Sequence, residues 1–369
     1  MIQHSFAEAS ERRRSTFDVR HSWFEVRGSM CYNSSMFFFG GLDVLTIGAG
    51  TRDVFIKSKH FERKTDADAP AGFDACFPMG AKIPIDDIYL ETGGGATNAA
   101  VTFSQLGYKT ACLCRVGNDA NGEAVKQALQ KGGISIKHIQ TDFKRQTSYS
   151  VIILSGSGHR SILVYRGASN HIDTRQINWS KLNPAWIYLT SLGGDIKQLQ
   201  SIFKAAKNQS IKIAWNPGNN ELRLGVKKLK SFIESVDLLF VNREEAALLT
   251  QKPPRHLEDI IKTLGKLPKQ ALIITDGPNG AYAYDRNTES ALHIAAIPGK
   301  RINTTGAGDA FGSGFTASFI KNSDINTALC TGSLNSIGVI TTMGAKNGIL
   351  KSFPLAKQIK RCKIKKISL

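Results

Sequence analysis

The residues best equipped for chemistry lie in "INTTGAGDAFGSGF", residues 302–315. Gly306, Ala307 and Gly308 precede an apolar run that reads as a helix. Their backbone N–H groups would therefore stand at a helix N-terminus, where partial positive charge favours an anion. An amide-lined turn of this kind stabilises charge developing on a transferring phosphoryl group. Asp309, in the first helical turn, is placed to accept the proton of a substrate hydroxyl as general base. The plainer alternative is an N-terminal acid beside packing glycines.

Other nucleotide motifs fail. "TIGAGTRD" opens like a dinucleotide-binding turn, but Asp53 stands where the third glycine belongs and no helical pattern follows. Gly265-Lys266 and Gly299-Lys300 are followed by Leu and Arg, not by the Ser or Thr of a P-loop. A second glycine-rich turn, "GGGATNAAVTFSQLG", leads into a helix over about 97–106, closed by Gly107.

Patterned sequence begins with "LDVLTIGAG", an apolar strand entering a glycine turn. Residues 56–90 are mixed and irregular, with Pro70, Pro78 and Pro84, and read as an insertion or lid. "KTACLCRVG" reads as a strand and "NGEAVKQALQKGG" as a helix with a glycine stop. The alternating runs "SYSVIILS" and "SILVYRG", separated by "GSGH", predict a β-hairpin. After Pro184, strand and helix alternate: "AWIYLT", a helix 195–208, "IKIAWNP", a helix 221–235, "DLLFVN", a helix 243–250 and "ALIITDG". This rhythm predicts an α/β fold, doubly wound, with a mostly parallel central sheet and helices on both faces. The domain is expected over 42–369, with lid segments at about 57–90 and 145–168.

Residues 1–41 carry no periodicity and read as a poorly structured extension of no catalytic role. They lack the apolar core of a secretory signal, and Glu8, Glu11, Asp18 and Glu25 argue against a transit peptide. A start at Met30 or Met36 is an alternative. The six cysteines show no metal-ligand spacing and are expected as free thiols in a reducing, cytoplasmic setting. No apolar run reaches the length of a membrane span. The net charge is +18, and the tail "LKSFPLAKQIKRCKIKKISL" holds seven basic residues and no acid. It reads as a solvated terminal helix, or as attraction for phosphorylated substrates, because no nucleic-acid motif accompanies it.

"NTTGAGDAFGSGF" and "GGGATNAAVTFSQLG" together resemble the two signatures of the PfkB, or ribokinase-like, family of carbohydrate and nucleoside kinases, in order over about residues 44–350. The resemblance implies an ATP-dependent kinase of a sugar hydroxymethyl group, with Asp309 as catalytic base and Gly306, Ala307 and Gly308 as the anion hole. It implies that Asp53, Gly93, Gly94 and Asn98 bind the sugar beneath a small β-lid, with Arg166 at the lid hinge. On the ATP side it implies Asn216, Asn242, Thr275, Gly277 and Gly280, and Glu245 placing Mg²⁺ through water. ATP and a small sugar-like molecule are the implied partners, and a homodimer through the lid is an option. Three departures stand out. Asn303 replaces an Asp that holds K⁺ in ribokinases, "YLTSLGG" offers Thr190 and Ser191 where a sugar-binding Glu occurs, and the 57–90 insertion is long. A nucleoside, or a keto-deoxy sugar acid paired with Arg166, is therefore an alternative acceptor. A non-catalytic sugar- or nucleic-acid-binding protein is the alternative from a different class.

Overall fold

Period-two alternation puts apolar side chains on both faces of the parallel strands, so the sheet must be covered on both sides. Leu45, Ile47, Ile187, Leu189, Ile213, Trp215, Leu239, Val241, Leu272 and Ile274 are buried in one cluster. Their alternating neighbours Val44, Trp186, Tyr188, Ala214, Leu238, Phe240, Ala271 and Ile273 are buried in another. Helices Ile196–Asn208, Gly225–Ile233, Arg243–Thr250 and Leu257–Leu264 cover the first face. Helices Gly95–Gln105, Ala307–Asn322 and Ile325–Ile340 cover the second.

The computed structural model describes residues 41–67, 72–154 and 160–369. Apart from Gly41, the expected extension lies outside the described residues, as does the "GSGH" connection of the hairpin. Residues 40–369 form one compact unit.

Among the described residues the central sheet has nine strands. From one edge they run Thr110–Leu113, Val44–Ile47, Trp186–Leu189, Lys212–Trp215, Leu238–Asn242 and Ala271–Thr275, all parallel. Ala281–Asp285, Ser290–Ile294 and Ile364–Ile367 follow in antiparallel order. Strand Val44–Ile47 lies between 110–113 and 186–189, so the chain winds outward in both directions from it. That is a topological switch point, and the crevice outside its carboxyl ends is where such sheets bind ligands.

A four-stranded sheet forms the lid, in the order Arg160–Tyr165, Ser148–Leu154, Thr51–Lys57, Asp87–Gly93. The predicted hairpin pairs antiparallel as expected. The lid begins earlier than expected, because residues 51–57 are a strand and not only a turn. The region expected to be irregular contains a further antiparallel pair, Glu62–Thr65 with Phe73–Cys76. Lys64, Thr65, Asp74 and Ala75 of that pair are exposed, so no burial alternation marks it in the sequence.

Three further expectations are corrected. The helix expected over 221–235 is broken into Asn219–Leu222 and Gly225–Ile233, with Gly225 at φ +75° between them. The basic tail is no terminal helix. It makes a single turn at Ala356–Ile359 and then adds an edge strand, Ile364–Ile367, against Ser290–Ile294. Lysines at an edge oppose pairing with another sheet, and Lys365 and Lys366 are exposed there. Finally, Cys330 and Cys362 form a disulfide, while Cys76, Cys112 and Cys114 are free. The 356–359 turn folds the chain back onto the 325–340 helix and brings two cysteines 32 residues apart into reach, which spacing alone could not show.

No helix among the described residues is long and apolar enough to cross a membrane. Closing a loop of this length removes unfolded-state entropy worth about 3–4 kcal/mol. Reduction, or Cys362→Ser, is expected to lower the urea midpoint accordingly, and an unchanged midpoint in reductant would show that the crosslink contributes nothing.

Candidate active site

Gly94 caps the 95–105 helix at φ +95°, where a Cβ would collide with the carbonyl of Ala49. At Gly93 the space for a Cβ is taken by the Asp53 carboxylate. Asp53 lies on lid strand 51–57, opposite Glu91 and Ser150. One turn into the helix, Asn98 is 4% exposed and its Nδ2 donates to Asp309 Oδ2 at 2.8 Å. Asn98 Oδ1 is buried with no protein partner.

Gly306 opens the second helix at φ +80° and packs so closely on Ala345 that a Cβ would stand 2.6 Å from the Ala345 Cβ. Ala307 N–H donates to Thr304 O at 3.3 Å within the turn. Gly308 and Asp309 follow in the first helical turn, whose N–H groups lack a helical acceptor. Gly308 faces open space, so its freedom from a side chain serves access and not packing. Gly312 and Gly314 do pack, against the Tyr188 hydroxyl and Asn335. Asn303 is buried, and its Oδ1 accepts from Thr305 N–H at 3.0 Å while Nδ2 reaches Gly344 O at 3.4 Å. Both ends of this neutral side chain are thus engaged, Oδ1 by a single hydrogen bond. It staples the 303–306 turn to the loop that carries Ala345.

Burial dominates the electrostatics. Desolvation pushes both the Asp309 and Asp53 carboxyls above the usual range, opposed by hydrogen bonds from Asn98 and Ser150 and by the charge of Lys346. Asp309 in turn raises Asp53. Lys346 donates from Nζ to Thr92 Oγ1 at 2.8 Å, and desolvation lowers it to about 8. Sequence reading missed Lys346, because a lysine in a glycine-rich loop carries no local signal.

The residues expected on the nucleotide side line adjacent strand ends. Asn242 and Thr275 are register partners, and Asn216 directly follows the next strand, Lys212–Trp215, with its amide on Phe240 O at 3.4 Å. Asn242 and Glu245 form a reciprocal cap: Glu245 N–H donates to Asn242 Oδ1 and Asn242 N–H to Glu245 Oε2, each at 2.8 Å. Burial raises the Glu245 carboxyl. Gly277 and Gly280 hold φ +50° and +94° in the turn after Thr275. Arg166 stands apart. It is exposed at the end of lid strand 160–165, with no described side-chain contact to the other site residues.

Thr190 and Ser191 are committed elsewhere. Thr190 Oγ1 donates to Ile47 O at 3.2 Å, and Ser191 Oγ donates to Glu221 at 3.0 Å. Glu221, also missed in the sequence, is fully buried and accepts from Leu192 N–H at 2.6 Å and from Gly194 and Gly218 N–H at 3.0 Å. It ties together the loops after strands 186–189 and 212–215.

The model of the pfkB family carbohydrate kinases matches residues 79–351. The chain belongs to that family. It is a carbohydrate kinase, a phosphotransferase acting on an alcohol group. The kinase is 25% identical over 262 residues to a ribokinase of Haemophilus influenzae, covering 70% of this chain and 83% of that protein. It is 23% identical over 258 residues to a nucleoside kinase of Methanocaldococcus jannaschii, covering 70% and 82%. Its fold matches that of an Arabidopsis thaliana ribokinase complexed with ribose and ATP, at a TM-score of 0.67 and 19% identity, over 87% of this chain and 98% of that one. These relatives make it a sugar or nucleoside kinase.

Glu221→Ala leaves four buried or half-buried donors without their acceptor, so a loss of about 3 kcal/mol in urea unfolding is expected. Native-like stability in that variant would refute the hub.

Proposed function

We propose that the kinase transfers the γ-phosphoryl group of Mg·ATP to the hydroxymethyl group of a small sugar or sugar derivative, with Asp309 as general base. One observation carries the reading: the Asn98–Asp309 hydrogen bond of 2.8 Å, made beside the Gly306 turn. It gathers a carboxylate, a row of helix-start amides and an unpartnered Asn98 Oδ1 at one point of the crevice. The sugar would lie over Asp53, Gly93, Gly94 and Asn98, where a carboxylate and amide oxygens accept from its hydroxyls. Asp309 would take the proton of the reacting hydroxyl, whose oxygen attacks in line. The 306–308 backbone would receive the charge that grows on the transferred group. Positioning and electrostatics supply most of the rate in such transfers.

ATP would run along the rim formed by Asn216, Asn242–Glu245 and Thr275–Gly280. Among the described residues no group of three or more His, Cys, Asp or Glu could form a metal cage. That fits Mg²⁺, which keeps several waters and needs few carboxylates. Glu245 commits only Oε2 to the cap, which leaves Oε1 to hold such a water. Bound there with the nucleotide, the ion would offset phosphate charge.

Two alternative acceptors stand beside the small sugar. The relative named a nucleoside kinase supports a nucleoside, and the exposed Arg166 at the lid hinge supports a sugar acid. ADP release measured over sugars, sugar acids and nucleosides separates them. A cytoplasmic localisation rests on this metabolic reading alone, since the Cys330–Cys362 disulfide removes the free-thiol argument for it. The lid supports a homodimer, since Ile162, Leu163, Val164 and Tyr165 on one edge strand and Leu90 on the other are 41–59% exposed. Leu163→Lys is expected to turn a dimer into a monomer in light scattering, and a monomeric parent protein would refute this use of the lid.

Asp309→Asn should retain ATP binding and lose about a thousandfold or more in kcat. Burial raises the folded pKa of Asp309, so its contribution to stability is present below the unfolded pKa and lost as pH rises through the folded one. The variant is therefore expected to be at least as stable at pH 7. Turnover should fall as pH drops through a midpoint above the ordinary carboxylate range near ~4. Full activity in Asp309→Asn would sink the assignment.

A further inference from the structure

The loop 344–347 reaches both halves of the crevice. Ala345 seats Gly306, Asn347 Nδ2 donates to Glu91 Oε1 at 3.2 Å, and Lys346 Nζ donates to Thr92 Oγ1 at 2.8 Å. Thr92 precedes Gly93, the glycine whose missing side chain leaves room for the Asp53 carboxylate. The groups that act on the Lys346 ammonium are Asp53 from strand 51–57, Glu91 from strand 87–93, and Cys112 and Cys114 from the chain at 110–114. Lys346 in turn acts on Asp309 at the start of helix 307–322. Asp53 and Asp309 are both desolvated, and the charge of one disfavours the charge of the other. Two like charges sharing a dry site cannot both ionise freely unless a cation stands by them.

We propose that Lys346 is a positioning residue of the transfer: anchored on Thr92, its ammonium keeps the Asp53 and Asp309 carboxylates ionised together. Ionised Asp53 accepts from substrate hydroxyls while ionised Asp309 takes the proton, so the pair works only when both are charged. The inference rests on the reading of Asp309 as base. The geometry supports the role through the fixed anchor: one donor of the ammonium is spent on Thr92, which holds the charge at the sugar end of the crevice. The lowering of Lys346 to about 8 leaves it largely protonated at neutral pH.

The test is the pH dependence of kcat/KM in the wild type, Lys346→Met, Lys346→Arg and Thr92→Val. Removing the cation should move the acid limb up by about one pH unit or more. Lys346→Met then loses up to about tenfold on the acid side of that limb and approaches the wild type on its alkaline side. Lys346→Arg keeps the charge and should keep the wild-type acid limb. Thr92→Val frees the ammonium and should move the limb in the same direction by less. A loss in Lys346→Met that is equal at every pH, or a profile that superimposes on the wild type, overturns the proposal. A parent protein that phosphorylates no sugar, sugar acid or nucleoside defeats the reading of function instead. In that case ¹³C NMR titration of Asp-labelled wild type and Lys346→Met decides this inference: higher midpoints for the two buried carboxyls in the variant support it, and unchanged midpoints overturn it.

Discussion

The Asn98 amide and the Asp309 carboxylate meet across 211 positions of chain, and little else in the crevice makes sense unless they do. Each belongs to a helix that begins with a glycine in a left-handed conformation, Gly94 at φ +95° and Gly306 at φ +80°. Each glycine is pressed against other backbone, on Ala49 and Ala345 respectively, so a side chain at either would push its helix away. An ångström of retreat would break the hydrogen bond and part Asn98 from Asp309. Both helices rest on the same face of the sheet, where Phe103, Phe311 and Phe315 share one apolar cluster. Packing against strands 44–47 and 186–189 thus sets the height at which the two polar groups meet.

The crevice concentrates carboxylates that burial would rather see protonated. Asp53, Asp309 and Glu245 are all raised by desolvation, and Asp309 adds its own charge to the burden of the other two. Opposing forces are local and few: the Asn98 and Ser150 hydrogen bonds, the Asn242 cap and the Lys346 ammonium. Such desolvation suits the general base proposed for Asp309, since it raises the carboxylate's affinity for a proton. The cost is a site that does not stabilise the fold, which is offset by the two large apolar clusters behind it. Glu221 illustrates the opposite case. Its carboxylate is wholly buried but surrounded by four donors, and it serves the loops and not the chemistry.

Much of the frame was legible because strand alternation and helix punctuation are local. The strands 186–189, 212–215, 238–242 and 271–275 stand where apolar runs predicted them, and the hairpin of 148–154 with 160–165 pairs as its alternation implied. The glycine-flanked helix starts were legible for the same reason. Other elements left no such trace. In the pair 62–65 and 73–76, Lys64, Thr65, Asp74 and Ala75 are all exposed, and the tail strand, two lysines between two isoleucines, pairs with 290–294 at the open edge of the sheet. Thr190 and Ser191 looked available as site residues, yet Ile47 O and Glu221 claim them.

The sequence by itself determined the local features: a lone Asp in a glycine-rich helix start, an Asn one turn into another helix, and the doubly apolar strands of the sheet. These follow from local rules of backbone conformation and periodicity. Only the tertiary structure decided the company those residues keep. The disulfide between Cys330 and Cys362, the buried Glu221 and the Lys346 ammonium among Asp53, Asp309 and Glu91 all join segments distant in the chain. Distance along the chain says nothing about distance in space, and the desolvation that raises Asp53 and Asp309 exists only once the layers have closed around them.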